Sequence, residues 1–139
     1  MAKKKLYTPR DVDGLIPLLE KILGHVDHCR CRAEVLAKQA NGLVGASDVE
    51  ALARTQLLRS QVEFLMEAVR DDVEQILEVG GVAKDLEAGL VDFPGKVDGE
   101  DVWLCWKRGE SRVRFWHSLE EGFSQRQALR RGDVNTTFH

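Results

Sequence analysis

Two stretches of this 139-residue chain hold side chains whose types and spacing suit chemistry. The first is HVDHCRC at 25–31, which packs two histidines, two cysteines and an aspartate together. The second runs from 85 to 120, where Asp85, Asp92, Glu110, His117 and Glu120 lie among aromatic residues that include Trp106. A carboxylate beside an imidazole can hold one tautomer for general-base work, or the two can share a metal ion. The heptapeptide fails on geometry. It falls in a helical pattern, and at ~100° per residue His25, His28 and Cys29 share one face while Cys31 points roughly 120° away from His25. Its spacing matches neither a zinc-finger pattern nor the two-histidine helix of a metalloprotease. Cys29 lies on an apolar stripe and reads as a small core residue.

The second stretch is the better candidate. Asp92 stands between Val91 and Phe93, an awkward place for a carboxylate without a partner. The candidate ligand site is therefore Asp85, Asp92, His117, Glu120, Glu110 and Trp106. A plainer explanation competes with it: the two aspartates accept backbone hydrogen bonds in turns, and His117 is a satisfied core or edge histidine. No nucleophile motif stands out. Cys105 alternates with Leu104 and Trp106, has no basic neighbour to activate it, and reads as a packed thiol. No catalytic residue and no metal ligand is assigned, and the cofactor is unknown.

The elements that must position these residues are legible in outline. Thr8-Pro9-Arg10-Asp11 starts a helix, with Thr8 as N-cap, Pro9 at the first helical position and Asp11 at the positive end of the dipole. Apolar residues recur in steps of three and four through Leu15, Leu18, Leu19, Ile22, Val26, Cys29, Ala33, Leu36 and Ala40, and Asn41-Gly42 ends the run. Pro17 predicts a kink or break near Asp13–Gly14. Ser47-Asp48-Val49-Glu50 is a capping box, opening a second stripe through Leu52, Leu58, Val62, Leu65, Val69, Val73 and Ile76 that stops at Gly80-Gly81. Beyond it, 102–107 and 112–117 read as strands about a turn at Gly109, and GLVDFPG at 89–95 as a third strand closed by Pro94-Gly95. The expected class is α+β: a long antiparallel helical hairpin at about 9–79, then a small antiparallel sheet of about three strands at about 82–119. Residues 1–127 form a single domain on this scheme, and 128–139 a loose tail. A hairpin pattern placing His117 depends on register, since a one-residue slip turns it to the other face.

Composition narrows the classes of function. The net charge of −3 argues against general polyanion binding, and its distribution is uneven: residues 1–40 are net +3, 41–78 net −5 and 79–139 net −1. Opposite signs suit two helices that pack side by side. Three cysteines make no disulfide framework, which points to reduced thiols and a cytoplasmic location. The basic start MAKKK has no apolar stretch behind it, and no run reaches the length of a membrane span. RGD at 131–133 and NTT at 135 are chance matches in such a setting.

The combination KDLEAGLVDFP at 84–94, VWLCWKRGE at 102–110 and FWHSLEEGFSQRQ at 115–127 resembles a bacterial family of unknown function, DUF2203. The opening YTPRDVDGLIPLL is similar to that family's start. The resemblance spans nearly the whole chain to about Gln127 and departs at Ser124-Gln125, where members commonly carry a small residue and glycine. It implies a helical hairpin joined to a small sheet and brings no established activity. The leading expectation for function comes from the hairpin. Its apolar residues Leu23, Val35, Leu57, Phe64 and Leu77 exceed a single seam, so two hairpins are expected to pair as a homodimer, a non-catalytic interaction module. The alternative is a small-ligand or metal-binding module, hydrolytic in use, at the carboxylate/histidine site. A lesser one is single-stranded nucleic-acid binding by Arg112, Arg114 and Trp116, which the acidic second helix argues against.

Overall fold

The computed structural model describes residues 5–130. Two helices, α1 (Pro9–Asn41) and α2 (Val49–Glu78), form a hairpin followed by five strands: β1 (Val82–Asp85), β2 (Leu90–Val97), β3 (Glu100–Lys107), β4 (Phe115–Ser118) and β5 (Gln127–Ala128). The strands pair in sequence order, each antiparallel to the next. The chain is therefore α+β as expected, with five strands instead of about three. The two extra ones, β1 and β5, have four and two residues, too short to show a period-two pattern.

The chain divides into two compact units, one of residues 5–23 with 75–130 and the other Gly24–Glu74. In the second unit, Leu36, Ala40 and Leu58 form a buried cluster with Leu43, Val62 and Leu65 packed against it. In the first, the helix start behaves as its residues require: Thr8 N donates to Asp11 Oδ2 at 2.9 Å and Asp11 N to Thr8 Oγ1 at 3.1 Å, a reciprocal cap. The expected break near Asp13–Gly14 is absent, because α1 runs unbroken through Pro17. Pro17 removes one backbone hydrogen bond, while burial of Val12, Ile16, Leu19 and Ile22 holds the segment helical. At the other end of the loop, α2 begins at Val49, with Leu52 N bonding Asp48 O, so Asp48 takes the place expected for Ser47.

Strand β2 also departs from expectation, continuing through Pro94-Gly95 to Val97. β1 covers β2 only as far as Asp92, so Pro94 has no ladder partner on that side to disappoint. Tyr7 fills the gap instead: its N–H donates to Pro94 O at 2.7 Å and it bridges to Gly95. A Cβ at Gly95 would stand 2.9 Å from Tyr7 O and 2.7 Å from Leu104 Cγ, so only glycine admits both neighbours. The β2–β3 turn is Asp98-Gly99 with both φ positive, the mirror-image turn that matches strand twist.

Register sorts the sheet into two faces, because directly opposed residues in antiparallel strands point the same way. Val91 faces Trp106, Phe93 faces Leu104, and Leu104 faces Trp116, which makes one apolar face. Ile76 meets Val91 and Phe93 at Gly81, so the end of α2 covers that face. α1 is tied to the sheet region by Asp13 Oδ1, which accepts from buried Val113 N at 2.7 Å. The opposite face carries Asp92 against Cys105, Cys105 against Phe115, and Trp103 against His117. Strand β5 pairs with β4 and Leu129 N donates to Arg114 O, so ordered structure passes the expected limit at Gln127. The rest of the expected tail from 131, with RGD and NTT, and the basic start at 1–4 lie outside the described residues.

Candidate metal centre

Three adjacent strands of the second face each contribute one side chain to a single point. Asp92 comes from β2, Cys105 from β3 directly opposite it, and His117 from β4 one pleat further along β3, opposite Trp103. Asp92 and His117 reach over β3 to meet, His117 Nε2 lying 2.8 Å from Asp92 Oδ2. All three residues are buried, at 2 %, 1 % and 3 % exposure for Asp92, Cys105 and His117. One ligand atom from each lies within 4.8 Å of the others, and among the described residues this is the one such group of histidine, cysteine and acid side chains.

Hydrogen bonding fixes the imidazole. Nδ1 stands 2.9 Å from Ser118 O, which can only accept, so Nδ1 carries a proton. Nε2 therefore faces Asp92, and one further proton must lie between them, on either atom, since two lone pairs at 2.8 Å would repel. Burial pushes the Cys105 thiol up to about 12; the Asp92 charge and hydrogen bond add to this, and Arg126 opposes it. Both observations argue against a cysteine–histidine–aspartate triad. No imidazole nitrogen is left to face the sulfur, and the thiol is displaced away from the thiolate that a nucleophile needs.

A cavity of ≈ 300 Å³ opens above these three side chains. Its walls are Lys84, Asp85, Leu90 and Trp103, with Lys84 Nζ over the Trp103 ring at 4.7 Å. Leu119, Glu121 and Phe123, from the segment between β4 and β5, also line it. Beside it, Arg126 pairs with Glu110, Nη2 to Oε2 at 3.2 Å, and its guanidinium stacks on Phe115 and Phe123 at 3.9 and 4.3 Å.

The six candidates from the sequence separate accordingly. Asp92 and His117 form the floor, and Asp85 lines the wall while its Oδ1 caps a turn at Ala88 N, 2.9 Å away. Glu120 is exposed and does not line the cavity, where its neighbour Glu121 does. Glu110 lies outside it too, accepting from Lys107 N and Arg126. Trp106 belongs to the apolar face, buried with its Nε1 donating to Glu110 O, because its register partner is Val91 and not Asp92. Sequence reading missed Cys105, whose parity with Trp103 and opposition to Leu104 was the available signal. Of the basic–aromatic run, Arg112 and Arg114 precede β4, which starts at Phe115, and Trp116 turns to the apolar side.

In the second unit HVDHCRC is dispersed. His25 Nδ1 pairs with Asp72 Oδ2 of α2 at 2.6 Å. Cys29 is buried beside the His25 ring, its thiol raised by burial and then by Asp72, and Cys31 is exposed.

Residues 5–129 match the family model described as "Uncharacterized conserved protein (DUF2203)". No curated protein and no solved structure matches the chain.

Proposed function

The chain belongs to the DUF2203 family, a grouping by sequence that names no reaction, and we propose from the site itself that the protein binds a divalent transition-metal ion of the zinc type. Asp92, Cys105 and His117 would supply one oxygen, one sulfur and one nitrogen. The observation that carries this is the convergence of three buried ligand atoms within 4.8 Å. A mixed O/S/N set suits zinc and its borderline neighbours, whereas calcium and magnesium take oxygen alone. Bonds of about 2.0–2.3 Å to a tetrahedral ion separate its ligand atoms by roughly 3.3–3.8 Å, so the Asp92–His117 contact must open slightly to admit one. The Nδ1–H···O=C bond to Ser118 is the outer support that metal-binding histidines normally have.

Three protein ligands leave a fourth position, and here it faces the cavity. Closed four-ligand sets are structural, and open three-ligand sets are catalytic, where the ion polarises a bound water. This supports a hydrolytic use with a small molecule seated between Trp103, Leu90 and Phe123. The test is elemental analysis of untagged protein purified without chelator, beside an Asp92→Asn/His117→Ala variant. Near-stoichiometric zinc or a neighbouring metal that is lost in the variant is expected. Absence of metal from both, with no uptake when cobalt(II) is added, overturns the proposal.

A second reading, compatible with the first, is a homodimer through the hairpin. Its support is apolar exposure within the second unit: Phe64 is 74 % exposed, Leu52 57 %, Leu57 55 % and Val35 45 %. Light scattering at micromolar concentration should give twice the chain mass, and Phe64→Glu should halve it; a wild-type monomer sinks this reading. No described helix is long and apolar enough to cross a membrane. The free cysteines support a reducing, cytoplasmic setting, which imaging of a tagged copy would check.

A further inference from the structure

Arg126 has no part in the ligand set, yet it is held beside it from three directions. Phe115 and Phe123 stack on its guanidinium, and Glu110 takes Nη1 at 3.5 Å and Nη2 at 3.2 Å. Glu110 is itself fixed by Lys107 N, which donates to its Oε1 at 2.7 Å. Phe115 stands directly opposite Cys105 in register, so the stacked guanidinium lies over the sulfur's neighbour on β4. Arginine has five N–H donors in one plane, and Glu110 occupies only part of that fork. A plane can stack between rings and still donate along its edge, which a lysine ammonium cannot do.

We propose that Arg126 is a positioning residue for Cys105, donating an N–H···S hydrogen bond to the metal-bound thiolate and holding the sulfur toward the ion. This rests on the metal reading above. The bond also withdraws electron density from the sulfur, which keeps the ion a stronger Lewis acid toward whatever occupies its open position. It ties that electronic effect to the cavity-lining segment between β4 and β5, since Arg126 and Phe123 stack on each other. The competing role is structural only: an ion pair, with both side chains under 20 % exposed, that fastens the β4–β5 segment to the β3–β4 loop.

Cobalt(II) distinguishes the two, because a thiolate bound to it gives a sulfur-to-metal charge-transfer band whose energy follows the donor strength of the sulfur. Wild type, Arg126→Met and Arg126→Lys are titrated with cobalt(II), and the band and dissociation constant are read for each. The expected result is a displaced band and about 10–100-fold weaker binding in Arg126→Met, the usual loss for an outer-shell partner, with Arg126→Lys in between. An unchanged band and affinity alongside a lowered melting temperature overturns the positioning role and leaves the metal site standing. A wild-type protein that gives no band at all overturns the metal reading itself. If Arg126→Met does not fold, the charge-conserving Arg126→Lys decides by the same band.

Discussion

Binding of zinc should expel two protons per ion, and the count follows from the hydrogen bonds. The Cys105 thiol, raised by burial to about 12, is fully protonated near neutrality, so forming the thiolate releases one. The second lies between His117 Nε2 and Asp92 Oδ2, where the 2.8 Å separation demands it and an ion must replace it. The Nδ1 proton stays on Ser118 O and is not counted. Two protons make the apparent binding constant rise about 100-fold per pH unit, or about 2.7 kcal/mol at 1.36 kcal/mol per unit. Isothermal titration with zinc near pH 6.5, just below the ionisation of a zinc-bound water at about 7, reads the count. The slope of observed heat against buffer ionisation enthalpy should be minus two, because the buffer takes up each released proton. Cys105→Ser should bring it to minus one. A wild-type slope of magnitude one or less would refute the reasoning, since either the sulfur is no ligand or the shared proton does not exist.

Three further outcomes are expected. His117→Ala leaves the Asp92 carboxylate buried without its partner and should lower stability in urea by about 3–5 kcal/mol, while adding Asp92→Asn should recover part of the loss. The metal-free protein should lose stability in alkali: the folded pKa of Cys105 lies above its ordinary 9.0, so its contribution is whole below 9.0 and disappears as pH rises toward 12. Chemical unfolding across that range should show a steeper fall in wild type than in Cys105→Ala. Asp13→Ala strips the acceptor from the buried Val113 N–H and should cost about 1–3 kcal/mol, measured by thermal melting, with no change in metal content.

Local physics was enough for part of this. Steps of three and four apolar residues, closed by Thr8-Pro9 and Asn41-Gly42, are a helix whatever surrounds them, because caps and periodicity act within a turn or two of chain. Asp92 and His117 could be singled out for the same reason: a polar group in an apolar strand signals a buried partner. That they are each other's partner could not be read, since they are 25 residues apart in sequence and joined only by the pairing of three strands. The same pairing made Cys105 the third donor and sent Trp106 to the opposite face. Alternation says which residues of one strand share a side, but register and the placing of α2 over Val91 and Phe93 decide which side is covered and which holds a cavity. Pro17 and Pro94 carry the same lesson at the level of backbone. Proline's missing N–H is a local fact, whereas whether it breaks an element depends on tertiary neighbours: α1 continues through Pro17 among buried neighbours, and Tyr7 completed β2 where β1 had ended.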